Sequence, residues 1–135
     1  MSMNINKELK LQISGVIDKI IKEYLSVNQS NNTAKKIYKK AIKMVKHLSA
    51  GDIITEMEEN NVSLELAALN ILQNCAMLYI KPASSASDLL FSDDDASKLY
   101  NYLNDEKQKR GLITNEQYEE NKNLCIKIRM GSRFL

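Results

Sequence analysis

Glycine and proline are scarce, four and one in 135 residues. That is too few for a chain of tight sheet turns, and it excludes the glycine-rich phosphate loop, the GxSxG nucleophile elbow and the dinucleotide fingerprint. Histidine occurs once, as His47, so no two-histidine metal site can form. A hydrolytic triad would need His47 beside Cys75 or a serine, and no spacing suggests one. The only cysteines, Cys75 and Cys125, are spaced neither as metal ligands nor as a disulfide framework, which implies a reducing, cytoplasmic setting. No apolar run approaches the ~20 residues that span a membrane. The start, MSMNINKELK, lacks the apolar core of a secretory signal. Arginine is limited to Arg110, Arg129 and Arg133 among many lysines, a bias typical of AT-rich coding sequence.

What remains is rich in Lys, Leu, Ile, Ala and Glu, the composition of helices. The length suits one domain, residues 1–135, with residues 131–135 as a flexible tail. Apolar residues recur at steps of three and four from Leu9 through Ile13, Ile17 and Ile20 to Tyr24, predicting a helix over 6–27. Gly15 interrupts it and suggests a close helix crossing. Thr33 is placed to cap a helix ending at Gly51, which suits a left-handed stop. Asp52 caps a short third helix that breaks at Asn60-Asn61. Ser63 caps a fourth, apolar nearly all round and closed by Pro82. Ser92 opens a fifth that Gly111 stops, with Lys107, Lys109 and Arg110 at its negative end. A Thr114–Gln117 capping box opens a sixth. The expected fold is therefore all-α, a compact bundle of five to six helices around the central apolar helix at about 63–81.

Charge is segregated along this frame. Residues 1–50 carry ten Lys/Arg against three Asp/Glu, residues 51–106 two against eleven, and residues 107–135 seven against three. The small net charge thus hides strong local fields. The first block peaks in the helix over 33–49. Its apolar stripe is Ala34, Ile37, Tyr38, Ala41, Met44, Val45 and Leu48; Lys35, Lys36, Lys39, Lys40, Lys43 and Lys46 cover the rest. Like charges at i,i+4 repel by a few tenths of a kcal/mol per pair, and no glutamate relieves them. Two readings follow: a docking face for phosphate or an acidic partner, or a solvated face balanced by the acidic middle. Lysine point charges do not read base edges as Arg, Asn and Gln do, so sequence-specific DNA recognition is disfavoured.

Other constellations resolve into structure. The helix–turn–helix rhythm over 52–72 would put the most apolar helix in a DNA groove, so two core helices explain it better. Asp93-Asp94-Asp95 would open a calcium loop only with glycine sixth and glutamate twelfth; Lys98 and Asn104 stand there. Glu116, Glu119 and Glu120 lack the histidine partner of di-iron bundles. Leu89, Leu90 and Phe91 either plug the end of the bundle or form an apolar interaction patch.

The stretch Leu99 to Lys122, a leucine-spaced helix followed by Gly111, Leu112, Ile113, Thr114, Glu116, Tyr118, Glu119 and Lys122, resembles the short C-terminal helical domain SHOCT. It spans about the last quarter of the chain, and Cys125 and Ile126 stand where that domain has leucines. The resemblance implies an assembly or oligomerisation element. The functional expectation is a non-catalytic adaptor or regulator acting by protein–protein contact with an acidic surface or as a homodimer, with neither cofactor nor metal and no small-molecule substrate implied. The alternative is a nucleic-acid-binding accessory protein using the lysine helix for non-specific phosphate contact.

Overall fold

A computed structural model describes residues 2–29, 31–48, 50–59, 62–91 and 94–131. These form α1 (Ser2–Val27), α2 (Asn32–His47), α3 (Ala50–Glu59), α4 (Leu64–Tyr79), α5 (Ala86–Phe91), α6 (Asp95–Lys109) and α7 (Asn115–Met130), with no strand among them. The bundle is all-α, as the periodicity predicts. The predicted tail, apart from Gly131, lies outside the described residues.

The apolar helix α4 packs against α1, α2, α3 and α6, which makes it the hub. Its Leu69 and Leu72 meet Ile13, Ile17 and Ile20 of α1, Ile37 of α2, and Leu99 and Leu103 of α6 in one continuous core. Each of these side chains is almost wholly removed from water, a gain of roughly 2 kcal/mol apiece before chain entropy is set against it. Helices α1 and α2 run antiparallel, tied at one end by Lys10 Nζ to the Lys46 carbonyl at 2.9 Å and midway by Tyr38 Oη to Asp18. Helix α7 packs on α6. Its C-terminal turn holds the 81–88 segment through Arg129, which donates to the Lys81 carbonyl at 2.8 Å and lies 3.5 Å from Asp88 Oδ1.

Local chemistry departs from expectation at several ends. The cap of α2 is Asn31, not Thr33: its Oδ1 accepts from Ala34 N–H at 2.9 Å while its Nδ2 donates to Tyr24 Oη at 3.0 Å and the Asp95 carbonyl at 3.3 Å. A carboxamide can accept and donate at once in this buried corner, where a hydroxyl has only one hydrogen to give. Gly51 is not a left-handed stop. Helix α2 ends on extended Leu48, and α3 begins at Ala50, so Gly51 and Asp52 lie inside its first turn. Ser92 and Asp93 lie outside the described residues, as do Asn60 and Asn61; α6 is capped by Asp94, whose carboxylate accepts from Ser97 N–H at 3.2 Å. Gly15 is exposed, with open space where a Cβ would stand, so it marks no close crossing. The expected loop after Pro82 contains α5, because Ser85 Oγ accepts from Asp88 N–H at 3.1 Å and Asp88 accepts in return from Ser84 N–H at 2.8 Å. Ser63 and the Thr114–Gln117 box cap α4 and α7 as predicted, and Gly111 adopts φ 69° at the end of α6.

Candidate functional site

The outer face of α2 follows from helical geometry. Residues 34, 37, 41 and 45 turn into the core and are buried, which carries Lys35, Lys36, Lys39, Lys40, Lys43 and Lys46 onto an opposite arc of about 140° at ~100° per residue. All six are exposed, and none forms an ion pair among the described residues. Five acidic residues of the middle region have partners elsewhere. Glu65 and Glu106 meet Arg110, which Glu23 of α1 also approaches at 3.9 Å; Asp88 meets Arg129; Asp94 caps α6; and Asp105 accepts from Tyr118 Oη at 2.7 Å. Among the described residues the lysine face is thus not the intramolecular half of an electrostatic pair.

The face has an apolar edge. Met44, expected in the core, is 37% exposed, and with Leu48, Lys40, Lys43 and His47 it lines a shallow groove of about 370 Å³. Behind it, Met44 Sδ lies 3.2 Å from Cys75 Sγ on α4. Cys75 is fully buried, and burial pushes its thiol above the usual range despite nearby Lys40, so the thiol is held in its unreactive form.

The described side chains of the α5 triplet divide between solvent and a recess. Leu90 is 72% exposed, because the six-residue helix turns it outward, while Leu89 is half-buried in a recess with Cys125, Ile126 and Arg129. The Phe91 side chain lies outside the described residues.

A second region went unread in the sequence. Because α7 packs along α6, a cavity of about 650 Å³ opens between α4, α6 and α7. Amides contribute to its lining from two helices: Asn70, Gln73 and Asn74 of α4, and Gln117 and Asn121 of α7. Lys107 of α6 reaches in from the last turn, 3% exposed, and donates to Asn70 Oδ1 and Gln73 Oε1. No carboxylate meets it among the described residues. Burial without a counter-ion pulls its ammonium down to about 8. Lys107 therefore does not complement the helix dipole from the surface, as expected; the axis of α6 turns it into the bundle. The readable signal is on α4, where Asn70, Gln73 and Asn74 sit at i, i+3 and i+4 on a helix otherwise apolar beyond Glu65 in its first turn, so it does have one polar stripe.

No family model, curated protein or solved structure matches the chain. Its function must be read from these two sites. The residues carrying the SHOCT resemblance do form a hairpin: α6, Gly111, the Thr114 cap and α7. Tyr100 Oη donates across it to the Asn121 carbonyl at 2.9 Å, and fully buried Asn104 donates to the Tyr118 carbonyl at 3.0 Å. Among the described residues no helix is long and apolar enough to cross a membrane, and no cluster of three His, Cys, Asp or Glu is placed to hold a metal.

Proposed function

We propose that this chain is a non-catalytic adaptor or regulator that docks an acidic, amphipathic segment of another protein on the outer face of α2. The observation that carries the reading is six exposed lysines without an ion pair among the described residues, set beside the Met44–Leu48 groove. Unrelieved like charge on one helix lowers stability, and an external acidic partner would restore it. The groove favours a protein over nucleic acid: a phosphate backbone has no apolar side chain to fill it, and the face has no arginine for bidentate contact. The SHOCT-like hairpin, with Leu124 and Ile126 exposed on α7, fits a chain that works by association. Only two cysteines, well separated in sequence as Cys75 and Cys125, agree with a reducing compartment.

Fluorescence anisotropy tests this with a labelled helical peptide of Glu/Leu repeats and, in parallel, labelled duplex DNA, both at ~50 mM salt where charge contacts are strongest. The peptide should bind, and the combined Lys35→Glu, Lys39→Glu and Lys43→Glu variant should lose at least about tenfold in affinity, ~1.4 kcal/mol. Met44→Glu should weaken the peptide alone. DNA binding as tight as peptide binding would instead support phosphate contact, and binding of neither would remove both readings.

A further inference from the structure

The cavity between α4, α6 and α7 has no part in the docking proposed for α2, and its polar groups point to a ligand. A buried ammonium is ordinarily matched by a carboxylate; among the described residues Lys107 has only two amide oxygens. Lysine cannot accept a hydrogen bond, so its contact fixes Asn70 with Oδ1 toward Nζ and Nδ2 turned away. Gln117 is fixed in the same manner: its Oε1 accepts from Thr114 N–H at 2.9 Å, leaving Nε2 as a donor. Neither amide nitrogen has an acceptor among the described residues. Gln73 is engaged at both ends, since its Nε2 also donates to the Tyr100 carbonyl at 3.3 Å. One cation and two amide donors therefore stand on the lining of one cavity, and its one carboxylate, exposed Glu120, makes no ion pair with Lys107.

We infer that this cavity is a binding site for a small organic monocarboxylate with an apolar body, in which Lys107 supplies the counter-charge and the Asn70 and Gln117 amides donate to the carboxylate. The charge type follows from the lining. There is a single cation, which a monoanion matches one for one, whereas a dianionic phosphate would carry excess negative charge past exposed Glu120 on the same lining. The apolar body follows from the remaining wall, Leu66, Met77, Leu112 and Leu124, and from a volume far larger than a carboxylate needs.

Thermal unfolding of the full chain with 4-phenylbutyrate, its methyl ester and inorganic phosphate tests the site. At ~10 mM the carboxylate should raise Tm by about 4 °C, the size expected for a millimolar Kd in a domain of this length. The ester and phosphate should not. Lys107→Met removes the cation, and Asn70→Asp supplies an internal counter-ion; each should abolish the shift, with folding of each variant checked by circular dichroism. If Lys107→Met does not fold, Asn70→Asp decides. No shift with the carboxylate, an equal shift with the ester or phosphate, or an undiminished shift in a folded variant would overturn the assignment.

Discussion

Lys107 on α6 and Gln73 on α4 meet as ammonium and amide oxygen in the interior, where a salt bridge would be expected. The contact sets a measurable pH dependence. The folded pKa, about 8, lies below the ordinary 10.5, so between those values the unfolded chain binds more protons and stability rises with pH. The burial penalty, about 3 kcal/mol for a shift of this size, is fully present below pH 8 and fades as pH climbs toward 10.5. Glu120 and Tyr100 share the cavity, and Tyr100, pushed by burial up to about 12, stays protonated throughout this window. Urea midpoints of wild type and Lys107→Met, compared from pH 7 to 9.5, should show wild type gaining relative to the variant. A constant difference would mean that the lysine is not penalised by burial.

The corrected cap of α2 gives a paired comparison. Asn31→Ala removes an acceptor for Ala34 N–H and a donor to Tyr24 and Asp95 in a buried corner. It should cost about 2 kcal/mol, the upper end for a cap. Thr33→Ala, one residue inside α2, should cost under ~0.5 kcal/mol. Chemical denaturation of both variants checks the order; a larger loss at Thr33 would restore the expected cap.

Gly15 offers a stabilising substitution. It sits mid-helix in α1, exposed, with nothing within 4 Å of an added Cβ. Gly15→Ala should therefore raise stability by about 0.5–1 kcal/mol, seen as a higher denaturation midpoint. A loss would mean that another surface closes on this position.

Leu72 tests the central place of α4. It is fully buried where α1, α2 and α6 converge on that helix. Leu72→Ala should cost roughly 2–5 kcal/mol, and Leu72→Asp should prevent folding, because the bundle offers the new charge no partner. Monodisperse, cooperatively unfolding Leu72→Asp would contradict the architecture.

What could be read from the sequence differs between these regions for physical reasons. Periodicity located six helices and the hub because burial of a helix face writes a local repeat, as Ile13, Ile17, Ile20 and Tyr24 do in α1. The six lysines were legible as a face for the same reason. That they lack intramolecular partners among the described residues was not, since it depends on Arg110 gathering Glu23, Glu65 and Glu106 from three helices. Helix α5 was missed because Ser84, Ser85 and Asp88 resemble loop composition until their mutual hydrogen bonds are counted. The cavity was invisible for a tertiary reason: Lys107 reads as an ordinary last-turn lysine, and Asn70 and Gln73, its partners, lie more than thirty residues earlier.

The central claim is that the exposed face of α2 receives an acidic protein segment. Its most direct test is a ¹⁵N-resolved NMR titration of the whole chain with the Glu/Leu peptide, up to a concentration of ~1 mM that captures weak association. The largest shifts should fall between Lys35 and Leu48, centred on Lys40, Lys43 and Met44, and should shrink as salt is added. Shifts confined to other helices, or none at all, would contradict it.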